Sequence, residues 1–159
     1  MADYELGQPL RGRSFAGGKA AFAKAQCVLC HRFGNEGGLV GPDLSGVGSR
    51  FDRRALLESI LEPSKVIDEK FRNTAFTLKD GTTVTGTIER EDDQKLLVRE
   101  GPFSEQPVEL AKRDIARREP SVISPMPTGL VNVLRKEEIL DLLAFLGSGG
   151  NSADPAFKP

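Results

Sequence analysis

Residues 26–31, QCVLCH, hold both cysteines and the single histidine of a chain of 159 residues. All of its cysteine and histidine ligands and all of its thiol chemistry are thus confined to one short segment. Three chemistries compete for Cys27-x-x-Cys30. A structural zinc site takes about four protein ligands, usually thiolate or imidazole, and only Cys27, Cys30 and the adjacent His31 are on offer. A thioredoxin-like redox pair opens a helix that follows a strand, but the preceding GGKAAFAKAQ reads as helix with no strand before it. The third reading is Cys-x-x-Cys-His as a covalent attachment site for haem c. Two residues between the thiols let both reach the two vinyl groups of one porphyrin, and the next residue offers an imidazole to the iron from the same side.

Haem iron has two axial positions, so this reading makes a demand on the rest of the sequence. With no second histidine, the remaining strong ligand is methionine, and apart from Met1 the chain has only Met126. A methionine on an apolar helix face would be read as core filling. Met126 instead sits between Pro125 and Pro127 in SPMPTGL, where a rigid loop can aim a thioether at iron.

In order, GGKAAFAKAQCVLCHRF, GLVGPDLSGVGSRF, LLESILEPSKV, SPMPTGL and EEILDLLAFL resemble the pattern of class I c-type cytochromes. The resemblance runs from about Gly17 to Gly147. More narrowly, the chain is similar to the planctomycete and verrucomicrobia haem-binding domain found with sugar-dehydrogenase-like proteins, in which a β-rich segment precedes the methionine. It implies one haem c held by Cys27 and Cys30, with His31 and Met126 as axial ligands. It further implies that Gly41-Pro42 is a turn whose proline carbonyl accepts the other N–H of His31, fixing the ring. Arg50 matches the position from which an arginine reaches a haem propionate. Gly18 and Phe22 match the crossing of the first helix over the last, against Leu142 and Phe145. Two departures stand out. The spacing from Phe22 to Cys27 is one residue longer than in the mitochondrial type, predicting a local bulge or kink in the first helix, and tryptophan is absent.

Positioning these residues requires three kinds of segment. Residues 1–16 show no apolar periodicity and are expected to form a flexible N-terminal arm. Residues 17–147 form the expected cytochrome domain: a helix leading to the cysteines, a glycine-rich loop over 34–48, and a helix from Asp52, an N-cap candidate, with Leu56, Leu57, Ile60 and Leu61 as its apolar stripe. The glycine-rich loop reads as chain wrapping a flat ligand. From about 71 to 121 the period changes to two. Phe76 with Leu78, Val84 with Ile88, Leu96 with Val98 and Val108 with Leu110 predict a small antiparallel sheet, with a hairpin at Asp80-Gly81 and a further strand near Ile115. Its apolar face must be covered by the cytochrome or by the sheet curling on itself. Ile139, Leu142, Leu143 and Leu146 make a closing helix ended by Gly147, and residues 148–159 are expected to be a flexible tail or linker. The expected fold class is mainly α, a class I cytochrome c fold interrupted by a small antiparallel β-sheet insertion.

Charge is balanced, with 22 basic and 23 acidic residues, so no field argues for nucleic acid or an anionic membrane surface. No run is long enough to span a bilayer. Two filled axial positions leave none for a substrate, which points to a single-electron carrier rather than an enzyme, or to the redox domain of a larger dehydrogenase. The alternative is a haem-based sensor or peroxidase-like enzyme in which Met126 dissociates; for a distal hydrogen bond the PMPTGL loop offers Thr128 but no histidine or arginine. By resemblance, the electron donor is a periplasmic dehydrogenase and the acceptor another cytochrome or an oxidase. Thioether attachment takes place outside the cytoplasmic membrane, so the mature domain is expected to be periplasmic or otherwise extracytoplasmic. The chain opens without a secretion signal and is expected to have lost one or to be part of a longer chain.

Overall fold

A computed structural model describes Tyr4 and residues 6–159; the start of the expected flexible arm lies outside the described residues. The chain divides into two compact units, one formed by residues 1–65 with 127–159 and the other by residues 66–126. The expectation of a mainly α protein is corrected. The protein is 34 % helical and 21 % strand, with a five-stranded sheet. The physical reason is that the period-two segment builds a complete unit with its own core instead of decorating a helical one.

In the first unit, helix α1 spans Phe15–Lys24 and is capped by Ser14, whose side chain accepts from the Gly17 N–H at 2.9 Å. The one-turn helix α2 spans Cys27–Cys30. Residue Gln26 between them is left-handed at φ 61°, the only non-glycine with positive φ among the described residues, and it breaks the helix one residue before Cys27. A short hairpin follows, β1 (Arg32–Phe33) with β2 (Glu36–Gly37), turning at Gly34, φ 63°. Helix α3 spans Arg53–Leu61; Asp52 caps it by accepting from the Ala55 N–H at 2.8 Å. Helix α4, Lys136–Gly147, presents Ile139, Leu142, Leu143 and Leu146 to the core. Leu57, Leu142 and Leu143 are fully buried, each contributing about 1.5–3 kcal/mol of transfer free energy.

The crossing of α1 and α4 depends on Gly18. A β-carbon there would lie 2.4 Å from the Asp141 carbonyl oxygen and 2.5 Å from Phe145 Cβ. Phe22 and Phe33 pack on Phe145 with ring centroids 6.1 and 4.6 Å away. The segments expected to be a loose arm and tail are bonded to each other in the structure. Gly12 N–H donates to the Lys158 carbonyl at 2.8 Å, Arg13 N–H to that of Ala156 at 2.9 Å, and Phe157 meets Phe15 edge-on at 5.3 Å.

The second unit holds β3 (Thr74–Leu78), β4 (Thr83–Glu91), β5 (Lys95–Arg99), β6 (Val108–Ala111) and β7 (Ile115–Pro120). All pairs are antiparallel, in the order β6-β5-β4-β3-β7. The hairpin at Asp80-Gly81 is present, with Asp80 accepting from the Thr82 N–H at 2.8 Å and Gly81 at φ 89°. Strands β6 and β7 occupy opposite edges, yet only residues 112–114 join them. That connection spans at most about 14 Å, whereas the outer strands of a flat five-stranded sheet lie about 19 Å apart. The sheet therefore curls on itself, with register shifts at Thr77/Leu78 and between Ile88 and Arg90. Inside lie Phe76, Leu96 and Val98, each at most 1 % exposed, with Val84 and Leu110. Glu91, at the end of β4, pairs with Lys112 at 2.9 Å and with Arg118 of β7 at 3.1 Å.

Candidate functional site

The left-handed Gln26 lets the chain leave α1 and immediately begin a new turn, in which the His31 N–H donates to the Cys27 carbonyl at 2.9 Å. Cys27 and Cys30 are therefore at the two ends of a single helical turn, and His31 follows at its C-terminus in extended conformation, φ −109° and ψ 133°. Both cysteines are free thiols and partly buried. Burial pushes the Cys27 thiol up to about 11, against a smaller opposing hydrogen bond, and burial also raises that of Cys30. A dithiol redox pair works the other way, through a lowered thiol pKa.

The His31 ring is fixed from two directions. Its Nδ1 lies 2.8 Å from the Pro42 carbonyl oxygen. A carbonyl can only accept, so Nδ1 carries the proton and the Nε2 lone pair remains for a metal. Gly41 supplies the second constraint. A β-carbon on it would sit 2.7 Å from Cε1, 2.9 Å from Nδ1 and 3.3 Å from Nε2 of the ring, so the backbone lies directly on the imidazole.

The loop after His31 is laced to the cysteine turn. Gly38 N–H donates to the Val28 carbonyl at 2.9 Å and Gly41 N–H to that of Cys30 at 2.8 Å. A β-carbon at Gly38 would lie 2.2 Å from the Leu29 carbonyl oxygen, and one at Gly37 would lie 2.1 Å from that of His31. The glycines read from the sequence as wrapping a flat ligand thus pack against the attachment turn and its histidine. Gly37 and Gly38 were not singled out in the sequence; their signal was the local density of glycine, which marks close backbone approach without naming the partner.

Arg50 stands at the end of the 3-10 turn Val47–Ser49, exposed, with Nη2 donating to the Asp43 carbonyl at 3.3 Å. It is tied to the residue that follows Pro42. The same unit leaves Leu29, Leu39, Val40 and Phe51 exposed at 52, 76, 56 and 44 %. Leu29 belongs to the cysteine turn and Leu39 and Val40 to the loop between Gly38 and Gly41, and such uncovered apolar side chains are suited to contact with a flat apolar ligand.

The structure thus brings Cys27, Cys30, His31, Gly41 and Pro42 together and anchors Arg50 to the same loop. Met126 belongs to the other unit, as its last residue. It is partly buried in a segment without helix or strand, and its N–H donates to Ser124 Oγ at 3.1 Å.

Two thiols on one turn, an imidazole with a free Nε2 and uncovered apolar side chains fit a covalently held haem. Comparison with known proteins agrees. The family model described as Cytochrome c matches residues 15–95, from α1 through the cysteine turn, Pro42 and Arg50 to the start of β5. Met126 and α4 lie outside that match. No curated protein matches the chain.

Proposed function

From the premise that the chain belongs to the cytochrome c family, we propose that it is a monohaem single-electron carrier with His31 and Met126 as axial ligands. Membership carries the coarser part: a haem-binding protein of the electron-carrying kind, with haem c bound covalently in the region of Cys27, Cys30 and His31. The observation that supports the finer reading is the His31 Nδ1 contact with the Pro42 carbonyl at 2.8 Å. It orients the ring, holds the tautomer that leaves Nε2 free and makes that nitrogen a stronger donor.

When bound, haem c supplies a one-electron ferric/ferrous couple. The protein's residues do the rest. Cys27 and Cys30 would hold the macrocycle to the turn through their sulfurs. Gly41 and Pro42 hold the imidazole. Arg50 would offer a cation to a propionate, and Leu29, Leu39 and Val40 would offer apolar contact to the ring. Met126, between two prolines, is the thioether available for the remaining axial position, and such a ligand favours the ferrous state relative to a second imidazole.

The family resemblance supports a periplasmic or otherwise extracytoplasmic setting, a dehydrogenase as donor and a cytochrome or oxidase as acceptor. The test of attachment is denaturing electrophoresis of the matured protein stained for haem. Wild type should carry a haem-bearing band that is lost when Cys27→Ala and Cys30→Ala are combined. A colourless wild type after complete maturation would sink the proposal.

A further inference from the structure

Residues 66–73 lead into the strands of the sheet unit and residues 121–126 lead out. One side chain ties the two stretches together. Arg72 Nη1 donates to the Ser121 carbonyl at 3.0 Å, while Nη2 donates to the Ile67 carbonyl at 3.2 Å and pairs with Glu69 at 2.9 Å. The Ser121 N–H donates to the Asn73 carbonyl at 2.8 Å, and the Thr87 hydroxyl to Asn73 Oδ1 at 3.1 Å. Among the described residues Asn73 and Ser121 are the two buried polar side chains, at 6 and 3 % exposure. Arg72 Nε is buried without a hydrogen-bond partner. A buried polar cluster with an unpaired nitrogen costs free energy that apolar packing would not, so its presence needs a reason.

The strap that leaves this clasp supplies one. Ser121 Oγ accepts from the Ile123 N–H and donates to the Ile123 carbonyl, both at 3.0 Å, and Ser124 Oγ then accepts from the Met126 N–H. Pro125 and Pro127 restrict the backbone on either side of Met126. Apolar burial does not hold the strap down, since Val122 and Ile123 are 80 and 66 % exposed. Its course is set by polar bonds that start at Arg72.

We infer that Arg72, with Ser121, is a positioning residue for Met126: the clasp fixes where the strap leaves the sheet and so aims the thioether. This rests on the reading of Met126 as an axial ligand. The test compares wild type, Met126→Ala, Arg72→Lys and Ser121→Ala as haem-loaded proteins. Lysine keeps the charge beside Glu69 but cannot bridge two carbonyls as a planar guanidinium does.

In Arg72→Lys the far-red ferric charge-transfer band of sulfur–iron ligation should weaken. Ferrous Arg72→Lys should bind carbon monoxide under conditions in which the wild-type protein, with Met126 in place, does not. Amide exchange should accelerate at Ile123 and Met126 while Phe76 and Val98 stay protected. If Arg72→Lys unfolds the sheet, Ser121→Ala carries the same expectations. A band present in wild type, lost in Met126→Ala and unchanged in both clasp variants overturns the positioning role alone. A band absent from wild type, or retained in Met126→Ala, overturns the ligand assignment and this inference with it.

Discussion

Gly41 lies against the face of His31 so closely that a β-carbon would come within 2.7 Å of the imidazole Cε1. The neighbouring Pro42 carbonyl, 2.8 Å from Nδ1, holds the same ring from its edge. One dipeptide therefore sets both the plane and the tautomer of the proposed proximal ligand. The close approach, not an unusual backbone angle, is what requires glycine here.

Gly41→Ala should therefore push the ring off the Pro42 carbonyl, at a cost of about 1–3 kcal/mol for overpacking. Chemical denaturation of the haem-loaded protein should show that loss, and potentiometry a higher redox potential, because a less basic imidazole stabilises ferric iron less. Unchanged stability and potential would mean that the loop relaxes freely and that Gly41 does not constrain the ring.

The break before Cys27 makes a second prediction. Gln26 adopts φ 61° at the junction of α1 and α2, a conformation that costs a residue with a side chain roughly 1–2 kcal/mol. Gln26→Gly should raise stability by about 1 kcal/mol, and Gln26→Val should lower it by more. Thermal unfolding of the three proteins measures the order. Equal midpoints would show that the turn is not held left-handed in solution.

The extra residue between Phe22 and Cys27 was visible in the sequence as a local bulge or kink; in the structure the helix is broken there, at the left-handed Gln26. The cysteine spacing and the Asp52 cap were equally legible, because each depends on neighbours within a few residues. Strand positions could be read from the alternation of Phe76, Leu78, Val84 and Ile88. The curl of the sheet could not, because period two says which face is apolar and not which strands become edges. The helical share was overestimated for the same reason: a sheet that closes on its own core forms a unit of its own. The bonds from Gly12 and Arg13 to the C-terminal segment leave no periodic signature, being made by backbone and by one aromatic residue, Phe157. The Arg72 clasp was also hidden, since it joins residues 49 positions apart.

A third prediction concerns pH. The Glu138 carboxylate accepts from the Arg135 N–H at 2.7 Å and from Lys24 Nζ at 2.9 Å, fastening the start of α4 and joining it to α1. These bonds, the backbone one foremost, lower its pKa from 4.5 to about 2. A carboxylate lowered in the folded state adds stability that is full above its unfolded pKa and vanishes as pH falls through the folded one. Glu138→Gln should therefore be less stable than wild type at neutral pH, with the gap closing between about pH 4.5 and pH 2. Thermal midpoints recorded across that range check it, and a gap that persists unchanged at pH 2 would contradict the assigned role.

The most direct test of a single-electron carrier is a potentiometric titration of the haem-loaded protein, under argon and again under carbon monoxide. With His31 and Met126 occupying both axial positions, the account predicts one one-electron wave at the same midpoint in both gases. A wave that moves to higher potential under carbon monoxide would reveal an open or readily vacated position on the iron, and would contradict the assignment of this protein as an electron carrier with two protein ligands.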